Sequence, residues 1–407
     1  TGPPPEQRLI HMYPNVEEIT VDYSGSPNAH FFFKLLIENT HVRKLSLMQI
    51  TEQALGLFKR IPLHQLRSLE IYMNGDVLIS IDILDQFENL EHLDLQTSEF
   101  IIRNPNQTKV YPKLKTLDLI SSYVTREAKT PDIKILSRLL PNLKTLDYRP
   151  GVLHRRNEYK TLYAECFESF PLPAPESLSL SSLSLSPSPP PPQRLPALPF
   201  GGQLTELALS YLTQSYAKVI EKYFPNLERL DFLTDANMDS EIHNAIKYLL
   251  TRANFPRLKK FTLIEGVFNN YNNFNIESIF SRNRSIPISG SNCIQTKLKS
   301  ITLLNLSDSM LTSNFLFVIG QFPRLEKLRL LLYKSDSIKR VAANTRCKSL
   351  LMLELATVDQ VEISVIMPSL AKIFPNLRVL KLRPPAAKFP TNFKTRFPKI
   401  KFILEAD

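Results

Sequence analysis

Along this chain the apolar residues recur in one pattern, L-x-x-L-x-L with Val, Ile, Phe or Tyr as substitutes, from Val16-x-x-Ile19-x-Val21 to Leu377-x-x-Leu380-x-Leu382. Thirteen full copies precede a remnant, Ile400-x-x-Ile403, and eleven of the thirteen start-to-start spacings fall between 23 and 31 residues. The alternation inside each copy is that of a strand with one buried face. Its return at near-constant spacing predicts strands stacked side by side, each unit burying its apolar side only against its neighbours. The expected architecture is an α/β solenoid, a right-handed arch with a parallel sheet on the concave side and helices on the convex side.

The segments between copies support a helical return. Residues 28–39, 215–224 and 239–251 carry apolar side chains three and four apart, and Thr51 and Asp239 are candidate caps. Many returns end in a phenylalanine-proline step, as at Phe224-Pro225, Phe255-Pro256, Phe322-Pro323, Phe374-Pro375 and Phe397-Pro398. Proline disfavours a helical conformation in the residue before it and lacks an amide donor, so the step stops the helix where the chain turns back into the sheet.

A repeat of this form and length resembles that of leucine-rich-repeat proteins. The Phe-Pro-x-Leu returns, seen at Phe224 to Leu227 and Phe374 to Leu377, are similar to the irregular repeats of fungal or protist F-box/leucine-rich-repeat proteins. The resemblance implies a non-catalytic protein-recognition module, the substrate receptor of an SCF-type (F-box) E3 ubiquitin ligase. Its target protein would lie on the concave face, and an upstream F-box would hold a Skp-type adaptor. No F-box fits ahead of Val16; the chain opens at Thr1, and the expectation is that a segment precedes it. The asparagine that follows the strand in regular repeats is mostly missing, which predicts looser turns.

Residues 1–407 are therefore expected to form a single solenoid with two interruptions. From 170 to 202 the composition shifts to proline, serine and leucine, which predicts a disordered insertion on the rim or convex side. Pro189-x-x-Pro192-x-Arg194 satisfies a polyproline ligand pattern, although such matches arise readily in this composition. The stretch 267–296, rich in asparagine and serine, reads as a long loop.

Composition narrows the function. With 10 glycines and neither G-x-x-x-x-G-K-[ST] nor G-x-G-x-x-G, the nucleotide-binding folds that use those loops lose their support. No apolar run approaches a membrane span and no secretory leader is visible, so no membrane association is expected. Cys166, Cys293 and Cys347 stand far apart, which suits a reducing compartment, cytoplasmic or nuclear. Seven scattered histidines show no metal-ligand spacing, and no catalytic motif appears, so no metal, no cofactor and no enzyme activity are expected. The twelve residues between His154 and Cys166 say nothing about a spatial approach.

The formal charge of +11 is localised: nine cations and no carboxylate lie between Ile363 and Leu404, and the remaining 365 residues carry +2. A basic end, represented by Arg329, Arg378, Lys381 and Arg383, suits an acidic partner or a subunit junction rather than a nucleic-acid duplex, which needs a long stripe. The alternative to a ligase subunit is a leucine-rich-repeat scaffold or adaptor without a ubiquitin role, such as a nuclear RNA-handling adaptor using this end. A GTPase-activating protein of this class would need a suitably placed rim arginine or asparagine, and none is identifiable.

The residue between the two inner apolar positions of each strand points away from the core, so these residues form a column along the concave face. The column runs Thr20, Ser46, Glu70, Asp94, Asp118, Asp147, Ala208, Asp231, Thr262, Thr302, Arg329, Glu354, Lys381. Its carboxylates, Glu70, Asp94, Asp118, Asp147 and Asp231, are candidate contacts for a basic or amide-rich segment; the competing reading is solvated filler neutralised by Lys115, Lys144 or Arg229. One position beyond the last strand leucine, Leu233, Ile264, Leu304 and Leu331 form a candidate apolar patch, with Tyr72, Met48 and Ile120 as further anchors. Coverage by residues 267–296 is its competing reading.

Overall fold

Parallel pairing of the repeated strands dominates the computed structural model. The structure describes residues 16–22, 41–51, 55, 63–73, 78–97, 99–102, 109–121, 133–149, 199–209, 212–234, 244–245, 248–249, 253, 255–265, 300–306, 322–332, 347–357, 370–383 and 397–404. In chain order the strands are β1 (Glu18–Asp22), β2 (Lys44–Ile50), β3 (Ser68–Met73), β4 (Leu78–Ser80), β5 (His92–Thr97), β6 (Glu99–Ile101), β7 (Thr116–Ser121) and β8 (Thr145–Arg149). They continue as β9 (Glu206–Leu209), β10 (Arg229–Thr234), β11 (Lys260–Glu265), β12 (Ser300–Leu306), β13 (Lys327–Leu332), β14 (Met352–Thr357), β15 (Val379–Arg383) and β16 (Lys401–Leu404). Fourteen of them form one sheet in sequential order, and β4 pairs with β6 in a separate two-stranded ribbon. The pairings in the large sheet are parallel throughout.

The register carries the leucines inward together. Leu45 stands beside Leu69, Leu69 beside Leu93, and Leu93 beside Leu117, and all four are essentially buried. The sheet crosses the longest gap between repeats without a break: β8 pairs directly with β9, placing Leu146 on Leu207 and Tyr148 on Leu209. Of the two expected interruptions, 267–296 lies outside the described residues, and so does 170–202 except for its last residues. Those residues, Pro199–Gly202, form a 3-10 turn that packs against helix α1 (Ile133–Leu139) and buries Phe200 beside Phe224, with ring centroids 6.3 Å apart.

Several strands are entered through a turn in which a phenylalanine carbonyl accepts a hydrogen bond from the leucine amide three residues on. The distance is 3.3 Å for Leu227 to Phe224, 3.2 Å for Leu325 to Phe322 and 3.0 Å for Leu377 to Phe374. Proline therefore occupies the second position of a tight turn, which its fixed φ favours, besides ending the preceding helix. The phenylalanine rings, Phe87, Phe224, Phe255, Phe322 and Phe374 among them, are buried and close the core at this edge. One residue later the backbone couples neighbouring repeats: the Arg43 carbonyl accepts from both Arg67 and Ser68, and the Glu228 carbonyl from both Lys259 and Lys260.

The same turns carry a ladder of asparagines. Asn89 donates to the His64 carbonyl at 2.6 Å, Asn142 to Pro112 at 2.8 Å, Asn226 to Gly202 at 2.6 Å and Asn376 to Lys348 at 2.7 Å. In every case the acceptor lies two residues before the first leucine of the preceding repeat. The asparagine expected after the strand is mostly missing from the sequence, but another set precedes the strand and stitches the turns together. Replacing Asn226 with Ala leaves the Gly202 carbonyl without its partner and is expected to cost about 1–2 kcal/mol. Thermal unfolding of Asn226→Ala coincident with that of the wild type would remove the ladder from this account.

Among the described residues the convex side is less helical than the sequence predicts. Helix α2 (Gln214–Tyr223) lies where residues 215–224 were expected to be helical, and the Thr213 hydroxyl accepts from the Tyr216 amide at 3.2 Å as its cap. Of 239–251, residues 244–245 and 248–249 are helical, with Ala245 and Leu249 buried; 28–39 lies outside the described residues. Between β3 and β5, however, the return is β4 followed by a 3-10 helix, Ile81–Gln86, started by the Ser80 hydroxyl. Isoleucines at 79, 81 and 83 fill this short unit, and β-branched residues favour extended or tight backbone over an α-turn.

The terminal remnant is shifted by one residue relative to the expected Ile400-x-x-Ile403. The register sets Phe402 beside Leu380 and Leu404 beside Leu382, so Ile403 falls in the outward column opposite Lys381. The turn is aligned through Phe397, whose carbonyl accepts from Ile400, and the chain is one residue shorter between turn and strand than in the preceding repeat.

Candidate functional site

Strand register places the outward column as the alternation predicts. Thr20, Ser46, Glu70, Asp94, Asp118 and Asp147 occupy matched positions on consecutive strands of the sheet, Ala208 follows, and Asp231 comes next. Beyond it run Thr262, Thr302, Arg329, Glu354 and Lys381. Neighbouring parallel strands lie roughly 4.8 Å apart, so the four successive carboxylates from Glu70 to Asp147 cannot avoid one another.

Most of these carboxylates are held. Ser46 donates to Glu70 at 2.6 Å, and Lys44 lies 2.8 Å from Glu18 and 3.2 Å from Glu70. Hydrogen bonds to the two glutamates hold the Lys44 ammonium above its usual range. Tyr72 donates to Asp94 at 3.0 Å, and burial together with the Asp94 charge pushes its phenol up to about 12. Arg149 pairs with Asp147, and Arg229 Nε lies 2.7 Å from Asp231, which is only 9% exposed. Of the lysines expected to neutralise the column, Lys115 instead serves Glu91 on the strand-entry edge.

Asp118 differs. Among the described residues its carboxylate takes no hydrogen bond and no ion pair, while Asp94 and Asp147 flank it across the sheet. Burial, then the charges of Asp147 and Asp94, push its carboxyl up to about 7, with Arg149 only partly opposing them. Burial also raises Asp94 and Asp147 above the ordinary carboxylate range, outweighing the Tyr72 and Arg149 contacts. One oxygen each of Asp94, Asp147 and Asp231 is buried without a hydrogen-bond partner. The centre of this face is a crowded, underneutralised set of acids.

At the other end the column changes sign. Arg329 Nε lies 3.0 Å from Glu354 Oε1, an ion pair whose angle is too poor for a hydrogen bond, and Lys381 follows on the next strand. Arg378 is exposed at the entry to β15 rather than on the concave column; the Arg383 side chain lies outside the description. The expected apolar patch is assembled by the backbone in part. Leu233, Ile264 and Leu304 are in register, but a shift between Leu303 and Leu306 separates Leu304 from Leu331. Their side chains, and residues 267–296 that were the candidate cover, lie outside the description.

Sequence reasoning missed the partners. Arg149 sits on the same strand as Asp147, two residues on, and therefore on the same face; that spacing is the signal that could have found it. Tyr72 was read as an anchor and serves as a donor to the acid beside it. Cys347 is buried, and Cys166 and His154 lie outside the described residues. Among the described residues no group of three or more His, Cys, Asp or Glu could hold a metal ion, and no helix is long and apolar enough to cross a membrane.

No protein-family model matches the chain, and no curated protein matches it. Among solved structures, the Toll–Spatzle complex of Drosophila aligns with TM-score 0.39 and 13% identity, over 96% of this chain and 40% of that one. The yeast Rad7 and Elc1 complex aligns at 0.36 and 14%, over 97% and 83%, and the APL1 leucine-rich-repeat domain at 0.31 and 13%, over 98% and 86%. The chain thus spans less than half the length of the Toll–Spatzle match. At such scores these likenesses bear on neither activity nor partner. Sequential parallel strands, the L-x-x-L-x-L repeat and the turn ladder themselves define a leucine-rich-repeat solenoid.

Proposed function

We propose that this chain is a non-catalytic protein-recognition module that binds a target protein on its concave sheet. The reading rests on one observation: outward side chains of successive repeats are held in register as a continuous column, and its acidic centre lacks the cations to neutralise it. A solenoid presents such a surface over many repeats at fixed spacing, which suits an extended partner. Glu70, Asp94, Asp118 and Asp147 fit a basic or amide-rich segment; Asp231 contributes less, being buried and paired with Arg229. The apolar line through Leu233, Ile264 and Leu304 would supply anchors beside it, with Leu331 further along.

The finer proposal is that the module receives substrates for an F-box-type ubiquitin ligase, with a Skp-type adaptor held by an upstream F-box. Its support is the repeat style, the Phe-Pro-x-Leu entries above all. Affinity purification of the tagged native protein tests it. Recovery of a cullin with its adaptor is the expected result; recovery of partners with neither rejects the ligase role and leaves an adaptor in its place. Combined Asp94→Lys, Asp118→Lys and Asp147→Lys is expected to reduce recovery of the concave-face target at least about tenfold, since like charges opposed across an interface cost several kcal/mol. Undiminished recovery would make the column solvated filler.

A further inference from the structure

Beyond the concave face, we propose that the strand-entry edge of the last repeats, from β13 to β16, is a docking surface for an acidic protein segment. Charge is the first ground. Residues 256–407 hold 24 lysines and arginines against 10 carboxylates, a net +14, whereas residues 1–255 hold 26 against 29. The basic character therefore belongs to the second part of the solenoid and starts well before Ile363.

Geometry is the second. Buried Phe322, Leu325, Leu350, Phe374 and Leu377 anchor each entry turn, so the residues around them project from the edge. Arg324, Lys348, Arg378 and Lys399 do so, Lys327 and Lys401 begin β13 and β16 where this edge meets the concave face, and all six are exposed. Cross-repeat hydrogen bonds fix this edge: the Leu351 carbonyl accepts from Arg378 and Val379, and Asn376 donates to Lys348 at 2.7 Å. The cations are therefore mounted on a rigid strip whose strands lie roughly 4.8 Å apart, with Lys327 and Lys401 at matched positions three strands from one another.

The third ground is contrast along one edge. In the earlier repeats several cations here find partners in a neighbouring repeat: Arg67 and Lys115 both pair with Glu91, Lys113 donates to Asn89 at 2.6 Å, and Lys259 pairs with Glu228 at 2.7 Å. Among the described residues none of the six cations of the last repeats takes an ion pair. Glu326, the carboxylate on this stretch, is engaged in an interaction of its own, and Glu354 faces Arg329 in the concave column. Among the described residues the strip is left with an excess of positive charge, six exposed cations to the one carboxylate Glu326.

An acidic peptide fits this strip better than a nucleic acid. Single-stranded nucleic acids are held by stacking bases on aromatic side chains beside a basic track. Here Phe322 and Phe374 are spent in the core, and Phe397 and Phe402 pack against it. From β13 to β16 the strip spans about 14 Å, the length of an extended segment of about four or five residues. The partner is thus a segment rich in Asp and Glu, contacted mainly by charge and weakened by salt.

The test uses the full chain, a fluorescein-labelled twelve-residue peptide of Glu and Asp, and unlabelled oligouridine of the same length as competitor, read by anisotropy. The peptide is expected to bind at low salt and to lose affinity as salt rises. Combined Lys348→Glu, Arg378→Glu and Lys401→Glu should weaken it at least about tenfold, about 1.4 kcal/mol. The corresponding glutamine triple should weaken it less but in the same direction, which keeps the test informative if the reversed triple misfolds. Lys222→Glu on α2 serves as the control and should leave binding unchanged. Wild-type affinity in either folded triple variant, equal loss in the control, or displacement of the peptide by oligouridine at lower concentration than by unlabelled peptide overturns the proposal.

Discussion

Phe224→Ala is expected to lower stability by about 3–5 kcal/mol. Phe224 is buried at the end of α2, its ring stands against Phe200, and its carbonyl closes the turn into β10. Truncation removes that ring from the core where the entry turn of β9 packs against the entry turn of β10. In a solenoid each repeat touches only its neighbours, so a weakened central interface loosens both halves. The midpoint of unfolding followed by circular dichroism should fall by about 4–6 °C. Phe224→Leu keeps most of the volume and should cost about 1 kcal/mol. An alanine variant as stable as the leucine one would show that the phenylalanine edge is not part of the core.

Asp118→Asn should stabilise the protein, and only above acidic pH. The folded state holds the Asp118 proton up to about pH 7, whereas the free side chain loses it near 3.8. Folded chains then bind more protons than unfolded ones between those values, so stability falls as pH rises through this window and the full penalty is present above it. Asparagine removes the penalty. The undiscounted figure is about 4 kcal/mol, and solvent reaching this partly exposed carboxylate reduces it to about 2 kcal/mol. Urea unfolding should therefore show little gain at pH 3 and the largest at pH 8. Equal gains at both would attribute the effect to packing, and destabilisation at pH 8 would mean that the carboxylate has an internal partner. Asp94 and Asp147 titrate with it, so the profile belongs to the group of three.

Much of the fold was legible because a parallel stack writes itself into the sequence twice, as alternation within the strand and as return between strands. The column from Thr20 to Lys381 follows from those two periods alone, and every member stands where they put it. The remnant at Ile400 was misread because one residue is lost between turn and strand, and a one-residue slip exchanges the two faces. The asparagines at 142, 226 and 376 were visible as Pro-Asn-Leu triplets, yet their role depends on a carbonyl in the preceding repeat, 24 to 30 residues away, which spacing cannot show. The β4 and β6 ribbon was hidden because three-residue strands carry too little alternation to stand out.

Candidate contacts were legible as positions and not as states. The sequence placed five carboxylates on one face, but pairing decides which of them is available, and pairing depends on how Tyr72, Arg149 and Arg229 turn their side chains. Likewise the run without carboxylates was read from 363 to 404, whereas exposed cations on the strand-entry edge begin with β13; Arg329 and Lys381 stand in the concave column where the alternation put them.

Disulfide trapping across the column probes the parallel stack and its outward face. With Asp94→Cys and Asp118→Cys on neighbouring strands in register, the α-carbons are close enough for a bond under mild oxidation. Rapid, near-complete intramolecular linkage is expected, read by mass spectrometry after digestion. None is expected for Asp94→Cys with Leu119→Cys, which face opposite sides, nor for Asp94→Cys with Asp147→Cys, two strands apart. Linkage of either control pair, or failure of the first pair in folded protein, would contradict a stacked parallel sheet with this outward face.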